Sequence, residues 1–159
     1  MNLTDVLSSQ YGAALAMLRQ AVTDCPDDLW AAPLRNRFGQ IAYHALFYAH
    51  LYSQPSEADF QPWPGHRADL DEFDPAFDPP YTKAEVLSYL DFVEAEVKRQ
   101  LPTTDMDAPS GFHWLPMNKL ELQLYNIRHI QLHVGDMAER LGSQAGIDVK
   151  WVSVRRDPA

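Results

Sequence analysis

The stretch NIRHIQLHVGDMAERL, Asn126 to Leu141, sets His129 and His133 four residues apart in a run whose apolar members Ile127, Ile130, Val134, Met137 and Leu141 recur at three- and four-residue steps. That step is the period of a helix with one apolar face. At about 100° per residue, positions four apart lie within roughly 40° of each other, so both imidazoles point to one place. They fall on the flank of the apolar stripe, while Glu121, Arg128 and Glu139 form a separate polar strip. The two histidines are therefore expected to face a neighbouring helix rather than bulk water.

A buried neutral imidazole has one donor and one acceptor nitrogen, and leaving either without a partner costs roughly 1 to 3 kcal/mol. A divalent metal would satisfy one nitrogen on each ring and leave the other free to donate to a carbonyl or carboxylate. Asp136, on the histidine side of the same helix, is a candidate for that outer contact; an ordinary solvated surface acid is the competing reading. A hydrogen-bonded pair of core histidines also satisfies the spacing.

Working outward, three more segments carry the helical period and none carries sustained strand alternation. In the first, Leu3, Val6, Leu7, Tyr11, Ala14, Leu18 and Val22 share a face that ends at Cys25-Pro26. The second runs from about Phe38 to Tyr52, with Phe38, Ile41, Ala45, Tyr48 and Tyr52 on one side and Pro55 after it. The third opens on TKAE, where Thr82 and Glu85 can form a capping box, and continues through Val86, Leu90, Val93 and Val97 to Leu101-Pro102. The fourth, which holds the histidine pair, begins after Pro116 and is expected to stop at Gly142.

These spacings predict an all-α, four-helix bundle in one domain over residues 1–159, with a long insert at 54–81 and an extended tail at 143–159. The insert is long enough to carry the chain back along the bundle, which allows the second and third helices to run parallel, giving up-down-down-up connectivity. Its aromatics, Phe60, Trp63, Phe73, Phe77 and Tyr81, predict that it packs on an end or side of the bundle. The tail GIDVKWVSV reads as a short strand or an extended arm.

A net charge of −9 disfavours nucleic acid and anionic membrane surfaces as partners, because both rely on clustered Lys and Arg. Cys25 is the single cysteine, so no internal disulfide can form. The first ten residues lack a basic and apolar leader pattern, and no apolar run has the length needed to span a bilayer, so a cytoplasmic protein is expected.

The second helix adds a third imidazole. In FGQIAYHALFYAHLY, Phe38 to Tyr52, His44 lies beside the face of Ile41, Tyr48 and Leu51, whereas His50 falls on a different side with Tyr43 and Leu46. His44, His129 and His133 are thus the candidate ligands; His50, His66 and His113 are assigned no metal role. Three imidazoles leave a zinc, nickel or ferrous ion with open positions. Such an ion would lower the pKa of a bound water or thiol, or polarise a substrate oxygen. The G-x-S-x-G elbow, the Walker A loop, the dinucleotide fingerprint and the HEXXH pattern are missing from the sequence.

GQIAYHALFYAHLY followed by NIRHIQLHVGDMAERLG resembles the DinB-like (DinB/YfiT) superfamily of metalloenzymes, over most of the chain from the first helix through Gly142. One histidine on the second helix and an H-x-x-x-H pair on the fourth carry the resemblance. It implies that His44, His129 and His133 bind nickel, zinc or a similar divalent ion, in an up-down-down-up bundle that is often a homodimer. It also implies thiol-dependent transferase or isomerase chemistry with a low-molecular-weight thiol as cofactor.

Two functions are therefore expected to compete. One is a metal-dependent transferase or hydrolase acting on a small molecule, its pocket walled by Tyr48, Tyr52, Trp63 and Phe77. The other is a non-catalytic, stress-related homodimeric bundle that binds a metal or a small ligand.

Overall fold

The computed structural model describes residues 2–33, 36–67 and 80–155. It contains five α-helices, and no strand among the described residues: α1 (Leu3–Asp24), α2 (Asp27–Ala31), α3 (Phe38–Ser53), α4 (Lys83–Gln100) and α5 (Lys119–Ala145). No described helix is long and apolar enough to cross a membrane.

Each long helix begins and ends where side-chain chemistry dictates. Asn2 caps α1 by accepting from the Thr4 amide, and Cys25-Pro26 turns the chain to extended backbone after Asp24. Thr82 and Glu85 form the expected capping box at α4. Asn118 caps α5 by accepting from the Glu121 amide at 2.9 Å. The end of α5 differs from expectation. The helix passes through Gly142 and stops at Gly146, whose φ of 68° is the left-handed conformation that lets Gly146 N–H donate back to Gly142 and Ile147 N–H to Leu141.

The short α2 was not among the expected helices. It occupies the link after α1 and buries Leu29 and Trp30, whose indole N–H donates to the Tyr81 carbonyl. Five residues are too few for a period to be visible. The apolar stripe of α1 also starts later than its spacing suggests: Leu3 and Val6 are exposed, and burial begins at Leu7.

α1 packs against α4 and α5, and α3 against the same two helices. Polar contacts give the order along each seam. The Tyr11 hydroxyl donates to Gln123 Oε1 at 2.7 Å, and Gln131 lies against Met17, so α1 and α5 ascend together. Asn126 donates to the Ala49 carbonyl and Gln123 to the Tyr52 carbonyl, so α3 and α5 run in opposite directions. His50 meets Tyr89, while Gln54 meets Glu96 and Gln100, so α3 and α4 ascend together. Because α3 is pressed between two helices, every residue of it except His44 and Tyr48 is buried.

Phe60 and Trp63 of the long link pack on the core and Tyr81 is buried in it. Phe73 and Phe77 lie outside the described residues. The tail is an extended arm laid along α1: Lys150 and Gln20 exchange two hydrogen bonds, Gln10 donates to the Ser153 carbonyl, and Arg155 N–H donates to the Ser9 carbonyl.

Candidate metal centre

His129 and His133 leave α5 one turn apart and turn their Nε2 atoms toward each other at 3.1 Å, with ring planes at 88°. His44 enters from α3, its ring 5.2 Å from His129 and 4.8 Å from His133 between centroids. One nitrogen from each of the three rings lies within 4.8 Å of the others. Two nitrogens bound tetrahedrally to a zinc-sized ion stand about 3.3 Å apart, given bonds of about 2.0 to 2.1 Å. The pair on α5 is already near that separation, and a nitrogen of the third ring lies within 4.8 Å of both.

The surroundings support the same fit. Burial of His129, helped by the positive charge of a protonated His133 or His44, pulls its pKa down to about 4. His133 is also lowered by burial, against the opposing pull of Asp136. Both rings are therefore neutral near pH 7, the state in which imidazole donates a lone pair to a metal. Asp136 Oδ2 stands 3.3 Å from His133 Nδ1, a carboxylate within reach of the ring nitrogen that would remain if Nε2 held an ion. The Nε2 atoms of His129 and His133 stand at hydrogen-bond distance, while His129 Nδ1 is buried with no hydrogen-bond partner.

The site also meets solvent. His44 and Tyr48 are the two half-buried residues of α3, and His129 and Tyr125 are half-buried on α5. Tyr48 stands 4.8 Å from His44 and 5.5 Å from His129 between ring centroids. Tyr52 is next along α3, 5.5 Å from Tyr48 and itself buried. Trp63 is elsewhere: it stacks on Tyr89 at 4.8 Å and leans on Tyr81, on the side of α3 that meets α4. Phe77 lies outside the described residues.

Two neighbours of the site escaped the sequence reading. Tyr125, one turn before His129, holds its ring parallel to that imidazole within 2° at 6.5 Å. Trp114 lies beside Phe112, which meets Tyr52 edge-on. The signal for Tyr125 was its four-residue step from His129, the same step that joins Tyr48 to His44.

The remaining histidines lie apart from the cluster. His50 Nδ1 pairs with the Tyr89 hydroxyl at 3.2 Å, His66 stacks on Tyr43, and exposed His113 approaches Glu57. Cys25 is buried at the end of α1, and burial pushes its thiol up to about 11, far from a reactive thiolate.

The family model described as DinB superfamily matches residues 10–137 of the chain. No curated protein and no solved structure matches it.

Proposed function

The chain belongs to the DinB superfamily, and from that premise we propose that it is a divalent-metal-dependent enzyme whose ion, nickel, zinc or ferrous iron, is held by His44, His129 and His133. Transfer involving a low-molecular-weight thiol is the reaction we favour, in a homodimeric, up-down-down-up four-helix bundle. The order of contacts along the α1–α5, α3–α5 and α3–α4 seams supports that topology. The observation that carries the metal reading is the convergence of three imidazoles from two antiparallel helices on one point.

The bound ion would supply a Lewis acid, able to lower the pKa of a thiol brought to it or to polarise a substrate oxygen. The chain's own residues prepare for it. Burial keeps His129 and His133 neutral, Asp136 stands 3.3 Å from His133 Nδ1, and packing between α4 and α5 fixes the backbone that carries His44. Half-buried Tyr48 serves as pocket wall on the solvent side, with buried Tyr52 behind it.

A second reading, a non-catalytic bundle that binds a metal or a small ligand, is favoured by the ring faces of Tyr48 and Tyr125 beside the three histidines, which offer contact area rather than a proton. Turnover of electrophilic acceptors with low-molecular-weight thiols separates the two. Metal-dependent product formation that disappears in His133→Ala supports the enzyme. A protein that binds one equivalent of ion and turns over none of these pairs supports the second reading.

A further inference from the structure

Ring pairs at a four-residue step line the seam between α3 and α5. His44 meets His133 at 4.8 Å, Tyr48 meets His129 at 5.5 Å, and Tyr52 meets Tyr125 at 5.8 Å. Each step is four residues on both helices, so successive pairs stand about 6 Å apart along the seam. Beyond Tyr52 the loop before α5 closes the row, with Phe112 edge-on at 5.2 Å and Trp114 beside it at 5.6 Å. Gly111 permits that closure: its φ is 83°, and a β-carbon there would lie 2.3 Å from the Pro55 carbonyl oxygen.

Burial distinguishes this row from ordinary core packing. A core would enclose such rings, yet Tyr48 and Tyr125 are half-buried and Trp114 is 42 % exposed. The solvent-facing rings lead along the seam to the three histidines, so a molecule reaching them from that direction passes over aromatic surface.

We propose that this row is the recognition surface of the centre and that it accepts a planar aromatic or conjugated group, neutral or anionic, on a substrate whose other end reaches the ion. The proposal rests on the metal reading above. Aromatic faces favour two kinds of partner, other π systems and cations. A dication held among the histidines would stand beside Tyr48 and repel a cation placed on that ring, so the π system is the ligand the site selects. Tyrosines suit the task because they give large contact area with little side-chain freedom to lose. Tyr125, parallel to the His129 imidazole, would set the plane of the bound group.

Acetohydroxamate and benzohydroxamate, chelators that differ in the group beside a common metal-binding head, separate the two ends of the site. By calorimetric titration of the metal-loaded protein both should bind, with benzohydroxamate tighter by about tenfold. Tyr125→Leu and Tyr48→Leu should each cut that preference to about threefold or less while the ion stays bound at one equivalent, whereas Tyr125→Phe should retain it. Equal affinity of the two probes for the unmodified protein, or a preference that survives both leucine variants, overturns the aromatic surface and leaves the metal reading standing. Loss of the ion from Tyr125→Leu also overturns it, since the ring would then be a support for His129. Failure of the unmodified protein to hold one equivalent of ion overturns the metal reading and this proposal with it.

Discussion

His44 and His50 sit on one helix six residues apart, and what each ring meets divides them. His50 is 2 % exposed, lies between Phe60 and Phe92, and satisfies Nδ1 on the Tyr89 hydroxyl. It is a core histidine with a phenol for a partner. His44 meets two more imidazoles on α5, each able to turn a ring nitrogen's lone pair toward a shared point. Burial alone would have ranked His50 as the more special residue, since it is the more enclosed. The identity of the partner makes His44 the candidate ligand.

The largest effect expected from this contrast is on metal content. Alanine at His44, His129 or His133 should each remove stoichiometric binding, with affinity falling by about 100-fold or more, as read by elemental analysis of protein purified without a metal column. Helicity by circular dichroism should persist. His50→Leu should do the reverse: it keeps the ion and lowers stability to denaturant by about 0.5 to 1.5 kcal/mol, because the buried hydrogen bond to the Tyr89 hydroxyl is lost. Loss of metal in His50→Leu would break the contrast.

Acid should come next. Burial lowers His50 to about 4, from an ordinary value of 6.5. Between those values the unfolded chain holds a proton that the folded chain lacks, so stability rises with pH and is lost as pH falls from about 6.5 to about 4. One such group contributes up to about 1.4 kcal/mol per pH unit. In metal-free protein His129 adds a like amount, and bound metal should move its part to lower pH. Denaturant titrations at several pH values, with and without metal, check both; an unchanged slope in His50→Leu would refute the assignment to that residue.

Asp136→Asn should have the smallest effect, sharpening the contrast from the other helix. If the carboxylate orients His133, metal affinity should drop by about tenfold with no loss of stoichiometry. Unchanged affinity would return Asp136 to the surface acids.

The comparison also marks how far the sequence alone could lead. The four long helices were legible because each repeats apolar residues at helical steps, and the split between His44 and His50 followed from angle alone. Gly142 misled as a stop because a glycine in a helix interior looks like one at its end; the left-handed turn is made at Gly146, where the carbonyls of the last turn need donors. Tyr125 went unread because a tyrosine on an amphipathic helix counts equally well as core. Trp63 could not be placed by spacing at all. Its position depends on the path of a link without a period, and the fold set it against Tyr89, on the side of α3 that meets α4.

The antiparallel pairing of α3 with α5 sets a rule for how this chain can change length. A residue inserted between His129 and His133 would swing the second ring by about 100° and slide it about 1.5 Å, ending its reach to His44. Residues added to the link between α3 and α4 would disturb neither interval, and loop lengthening costs little because closure entropy grows only with the logarithm of length. Insertions and deletions should therefore accumulate between the helices and be purged from two short windows, His44 to Tyr52 and Tyr125 to His133.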